Sequence, residues 1–211
     1  MKKVKTVHDL LCKAYTDLSV ADTRIDKERA GKKLEKPVGY RESTFGEYFR
    51  GERKPAPLMK EEREKMRKGQ MCHYCEKPFP SGKGLTAEHI LPTDRGGPDR
   101  PGNIIWACQS CNSSKLNKDF IAWALGSDMG FPPIGLIRHY LKLVWEFCGQ
   151  NGLMEKDLAE VEKLPADEIP FDWDSLKLGS SACPYPANVH RRQWVNKQLT
   201  SNTQAADASA C

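Results

Sequence analysis

Between residues 72 and 111 the chain sets two Cys-x-x-Cys pairs around an acidic residue and a histidine in direct succession, Glu88-His89. Each thiolate pair can supply two corners of a tetrahedral Zn²⁺ shell, so Cys72, Cys75, Cys108 and Cys111 together can close a structural site. The segment they enclose carries an oxygen ligand and an imidazole, and an imidazole that titrates near neutrality can take a proton from water. Zinc as the frame and acid–base chemistry within it is the expectation from these residue types.

The elements that must hold these groups can be read nearby. Leu85 to Leu91 predicts a strand, Pro92 to Gly102 a loop rich in Gly, Pro and Asp, and Asn103 to Ala107 a second strand, with a helix beginning near Cys111. The cysteine pairs would pin the two ends of this unit.

Outside it the chain reads as mainly helical. Residues 6–21 space Val7, Leu10, Leu11, Ala14, Tyr15 and Leu18 for an amphipathic helix, with Thr6 and Asp9 suited to a capping box. The charged stretch to Lys36 can extend it. Pro37, Gly39, Gly51, Pro55 and Pro57 are expected to break regular structure, leaving a short helix over 41–50 that exposes bases and aromatics, and a second charged helix over 58–69. Ile134, Ile137, Leu141, Val144, Trp145 and Cys148 form one apolar stripe, which predicts a core helix packed on the zinc unit. A further helix is expected over 154–164, a basic aromatic segment at 189–199 docks as a terminal helix or touches nucleic acid, and 201–211 is expected to be disordered.

Net charge is +5, but it is unevenly spread: residues 1–70 carry +7, residues 71–125 carry +1 and residues 126–211 carry −3. A basic first third suits phosphate neutralisation, and equally a solvated lysine-rich surface. No apolar run approaches the roughly 18 residues that span a bilayer, and the basic start MKKVKTVHDLLCKAY lacks the apolar run of a signal peptide. A cytoplasmic protein with no membrane partner is therefore expected, a setting in which paired cysteines read as metal ligands rather than disulfides. Cys12 and Cys148 fit small core positions, and Cys183 and Cys211 fall in loop-like or tail sequence. His73, inside the first knuckle, is not needed as a ligand beside four thiolates; His8, His139 and His190 have no partner pattern.

The stretch AEHILPTDRGGPDRPGNIIWACQSCNSSK resembles the HNH endonucleases of the ββα-metal superfamily over about residues 71–120. The likeness runs through Glu88-His89, Ile90, Pro92, Gly96-Gly97, Asn103, Cys108-x-x-Cys111-Asn112 and Lys115. It implies His89 as general base, Glu88 and Asn112 at metal-ligand positions, and Asn103 as the residue that ties the long loop. Lys115, and less directly Arg95, become phosphate contacts. Oxygen ligands suit Mg²⁺ or Mn²⁺. Asn112 stands where many members have His, which favours Mg²⁺ over transition metals; Glu88 stands where Asp is commoner and reaches one methylene further.

The fold expected is therefore α+β: a small zinc-stapled ββα-metal core at 71–125, a basic helical region at 1–70 that contacts nucleic acid, a helical extension over 126–200 packed on the core, and the tail. The function expected is metal-dependent cleavage of DNA, by analogy from a restriction, phage-related or defence setting, with a homodimer or protein partner left open. An RNA-cleaving enzyme and a non-catalytic zinc-ribbon binding module are the competing readings. A binding ribbon needs the cysteines but not an ionisable base beside metal ligands. A thioredoxin-like role lacks the βαβ context.

Overall fold

A computed structural model describes residues 3–32, 37–55, 64, 68, 70–127, 132–165 and 168–177 of the chain. The predicted helix over 58–69, apart from residues 64 and 68, which are helical, lies outside these residues, as do the segment at 189–199 and the tail.

The first helix, α1 (Val7–Arg29), starts at a reciprocal cap: Asp9 N–H donates to Thr6 Oγ1 and Thr6 N–H donates back to Asp9 Oδ2, each at 3.2 Å. Val7, Leu10, Leu11, Ala14, Tyr15 and Leu18 are all buried. They face α2 (Pro37–Phe49) and α5 (Ile134–Gln150), so the apolar stripe of the basic region is core rather than contact surface.

Pro37 and Gly39 do not break the chain but lie within α2. Proline at a first helical position gives up an N–H that has no intrahelical partner there and brings a φ already suited to the helix. Nor does α2 expose all its aromatics: Phe45 and Tyr48 are buried against α1, where Tyr48 OH meets Ser19 Oγ at 3.3 Å, and only Phe49 stands out at 37% exposure.

The small sheet pairs β1 (Leu85–His89) with β2 (Ile104–Cys108) in antiparallel register, Leu85 opposite Cys108 and His89 opposite Ile104. The helix that follows, α3 (Gln109–Lys115), begins at once, two residues earlier than the sequence suggests, because Cys108 ends the strand in extended conformation and acts as the N-cap. Together these form the strand, loop, strand and helix of a small α+β core flanked by helices. A short α4 (Phe120–Leu125) comes next, and α5 is buried on more than the expected stripe, Leu136, Tyr140 and Leu143 included, since α1 covers one side and the nuclease-like unit another. Only Leu158–Val161, α6, is helical within the stretch 154–164.

One buried carboxylate fastens these parts. Asp119 caps α4 through the Ala122 N–H at 2.8 Å and also accepts from Tyr140 OH on α5, from Ser175 Oγ at 2.6 Å and from the Asp172 N–H. Burial pushes its carboxyl above the usual range, with the hydrogen bonds from Ser175 and Tyr140 acting against that. Asp119→Ala would leave these donors unsatisfied inside the protein. We expect a loss of about 2–3 kcal/mol, read as a lower thermal midpoint; an unchanged midpoint would mean the cluster does not hold the C-terminal segment.

Candidate metal and catalytic site

The two knuckles close on each other as the strands pair. Cys72 and Cys75 lie on a turn that reverses through Glu76, whose φ of 58° is left-handed, while Cys108 and Cys111 bracket the start of α3. All four Sγ atoms fall within 4.8 Å of one another. Zn–S bonds of about 2.3 Å in a tetrahedron require sulfur separations of roughly 3.8 Å, so the quartet fits a metal such as zinc with a small contraction.

The proton balance of the cluster points the same way. The hydrogen bond from Cys75 pushes the Cys72 thiol down to about 4, and backbone hydrogen bonds from Cys75, Cys108 and Tyr74 add to it. Cys75 is pushed up, first by holding that bond, and Cys111 is pushed up to about 12, first by burial. Cys72 takes the negative charge while Cys75 and Cys111 are held toward the thiol form. A divalent cation is what lets four thiolates coexist at this spacing. His73 stays outside the quartet: its Nδ1 accepts from the Trp106 N–H at 3.1 Å.

On the sheet, side-chain alternation puts Thr86 and Glu88 on one face of β1, the face that α3 meets. Asn112 Nδ2 donates to Thr86 Oγ1 at 3.0 Å. Glu88 Oε1 is held by Lys115 Nζ at 2.8 Å. Glu88 and Asn112 thus share the strand–helix seam. Each has one side-chain oxygen with no hydrogen bond among the described residues, a pair of hard donors suited to a divalent cation.

At the end of β1, His89 Nε2 lies 3.0 Å from Asp99 Oδ1, with the His89 side chain 31% exposed and that of Asp99 82% exposed. Asp99 was not singled out by the sequence. It is one of several acidic residues in a polar loop, and only folding brings it to the ring; its place ten residues on, within the loop that must return past the histidine, is the signal that was available.

That loop is clamped by Asn103, which is fully buried. Its Oδ1 accepts from the Leu91 N–H at 2.9 Å, and its Nδ2 donates to Leu91 O at 2.8 Å and Pro98 O at 2.9 Å. Gly96 supplies a φ of 81°, and at Gly97 a Cβ would sit 2.3 Å from Leu91 O, so the loop folds back closer than any side chain permits.

Lys115 and Arg95 are both held by groups of the protein itself. Lys115 is fully buried, with its ammonium on Glu88 Oε1, His89 O at 3.0 Å and Leu116 O. Burial pulls its pKa down, against the pull of Glu88 upward. Arg95 Nη2 donates to Asp172 Oδ1 at 2.8 Å and to Phe171 O, tying the loop to the C-terminal segment. A helix-end lysine after two polar residues reads from sequence as exposed, and here tertiary packing overrides that.

Two stability measurements check this picture. Cys108→Ser should lower zinc content and the melting temperature together; full zinc with an unchanged melt would remove Cys108 from the ligand set. Lys115→Met should cost about 3–5 kcal/mol by leaving Glu88 buried without its cation, and adding Glu88→Gln should recover part of the loss. A neutral single variant would mean the pair contributes nothing to the fold.

No curated protein and no solved structure matches the chain. The family model for HNH endonuclease matches residues 72–118, which spans both cysteine pairs, β1, the clamped loop, β2 and α3. The geometry and that match agree on the same stretch, and among the described residues no helix is long and apolar enough to cross a membrane. Within its helical additions the chain carries a domain of the HNH endonuclease family, whose nucleases cleave nucleic acid with a divalent metal.

Proposed function

We propose that this protein is a metal-dependent endonuclease that hydrolyses phosphodiester bonds of DNA, with His89 as general base and a Mg²⁺ or Mn²⁺ site at Glu88 and Asn112, beside a structural zinc on Cys72, Cys75, Cys108 and Cys111. The observation that carries the reading is the pairing of His89 with Asp99 at the edge of a seam where Glu88 and Asn112 present oxygen donors.

The roles follow from these contacts. With the Nε2 proton directed at Asp99, the His89 Nδ1 lone pair is the one left to accept a proton from water attacking phosphorus, and the carboxylate steadies the imidazolium that forms. Asn103 is a positioning residue: by clamping Leu91 and Pro98 it sets the path of the loop that carries Asp99. Lys115 fixes the rotamer of Glu88 so that its second oxygen faces the seam. A divalent cation bound there would stabilise the charge that develops on the scissile phosphate and the leaving oxygen.

DNA is preferred over RNA by analogy with nucleases of restriction, phage-related and defence loci, in which helical additions select the target. A single site of this kind nicks one strand, and cutting both takes a dimer or two events. Supercoiled plasmid with Mg²⁺ or Mn²⁺ tests the proposal. Wild type should convert it to nicked or linear forms, His89→Ala should lose activity by about 10²–10⁴-fold with zinc content intact, and Asp99→Asn should fall between them. Near-normal turnover by His89→Ala would remove it as the base. Cleavage of RNA alone would reassign the substrate.

A further inference from the structure

The helix α3 ends on a residue that its geometry does not suit. Leu116, which follows Lys115, closes the helix with φ 49° and ψ −135°, its N–H donating to Asn112 O at 3.1 Å. Glycine enters this part of backbone space freely and a bulky side chain does not, and a helix end with positive φ ordinarily carries glycine. The leucine gains no burial in return: it is 62% exposed and is not among the side chains packed on the core. Of the large exposed apolar residues among the described ones, Leu116 alone has a positive φ. We propose that it is a wedge for duplex DNA, entering a base step beside the phosphate to be cut and partly unstacking it. This rests on the DNA-cleaving reading above.

The strained backbone is held on both sides. Leu116 O accepts from Lys115 Nζ at 3.4 Å, and the same ammonium holds Glu88 Oε1 at 2.8 Å and His89 O at 3.0 Å, so one cation joins the backbone of the wedge to both residues of the acidic-His pair. On the far side, Asn117 Nδ2 donates to Asp94 Oδ2 at 2.7 Å, fastening the next residue to the loop that leaves β1, and the Lys118 N–H donates to Lys115 O at 3.1 Å. Backbone strain persists only where the surroundings over-determine it, and it gathers at sites that meet a ligand. A side chain carried on backbone fixed in this way has little left to lose in ordering when it binds.

What surrounds the leucine suits nucleic acid rather than a protein partner. A protein interface centres on several apolar side chains, whereas here one stands among the exposed Ser113, Asn117 and Lys118. Lys118 Nζ donates to Ser114 O at 3.1 Å and has no carboxylate partner among the described residues, so its charge is open to a phosphate. The Asp94 carboxylate beside them is engaged by Asn117. Leucine is one of the apolar residues that enter base steps from the minor groove and kink the duplex. Pyrimidine–purine steps resist this least, so TA and CA/TG steps are the expected places of cutting.

The test uses the full chain, with Leu116→Gly and Leu116→Met beside wild type. Glycine relieves the backbone and no packed side chain is lost, so Leu116→Gly should melt at or above wild type; a clearly lower midpoint would place the leucine in the fold and overturn the wedge. Without divalent cation, a duplex carrying 2-aminopurine at several TA steps should brighten as wild type or Leu116→Met binds and unstacks it, and should stay dim at saturation with Leu116→Gly. With Mg²⁺ or Mn²⁺, Leu116→Gly should nick supercoiled plasmid about tenfold more slowly than wild type, and the deficit should largely disappear on a duplex with an unpaired bubble, whose bases are already unstacked. An equal deficit on the bubble, or no brightening with any form, overturns the wedge. Nicking and brightening by Leu116→Gly at wild-type levels overturn the wedge and leave the nuclease standing; brightening that Leu116→Gly loses, with no nicking by wild type, sustains the wedge and overturns the nuclease reading.

Discussion

Two five-residue strands cannot hold their own register in water, and here the constraint comes from the four thiolates at their ends. One knuckle precedes β1 and the other runs from the last residue of β2 into α3, so a single ion at their meeting point would fix strand pairing, the start of the helix and the separation between them. Glu88 and Asn112 face one seam only because that register holds. A slip of one residue would turn Glu88 to the other face of the strand and leave Lys115 buried with no counter-charge.

The helical additions share the core of the nuclease-like unit instead of forming a body of their own. A single set of buried side chains runs from Val7 of α1 through Tyr74, Ile105 and Phe120 to Leu176. Tyr74, Phe120 and Tyr140 form an aromatic chain from the first knuckle to α5, with centroids 5.5 Å and 5.6 Å apart. The loop between β1 and β2 is likewise bound to the additions, through Arg95 to Asp172 and Arg100 to Glu146. The loop that bears Asp99 is thus positioned from both sides, by its own Asn103 and by ion pairs to the flanking chain.

Much of this was legible in the residues. The cysteine quartet follows from spacing, α1 and α5 follow from periodicity, and the capping pair at Thr6 and Asp9 follows from residue type. The strand–loop–strand–helix order could be read from β-formers around a turn-rich stretch. What could not be read depends on partners far along the chain. Lys115 looks like a surface cation until β1 passes over it, Arg95 looks available until Asp172 arrives from 77 residues away, and Asp99 is one acid among several until the loop closes. Pro37 misled in a different manner, since proline stops a helix from within yet starts one readily.

Gly97 shows how little freedom the loop between β1 and β2 has left. One added carbon there would meet two successive carbonyl oxygens, Leu91 O at 2.3 Å and Pro92 O at 2.7 Å, and neither can yield without disturbing the bond from Asn103 Nδ2 to Leu91 O or the turn in which Pro92 O accepts from the Arg95 and Gly97 N–H groups. Viewed as a problem of variation, the loop is confined at a single atom while an exposed position of the helical additions such as Val38 is bounded mainly by solvent. A lineage could vary such positions and would have to leave position 97 as it is.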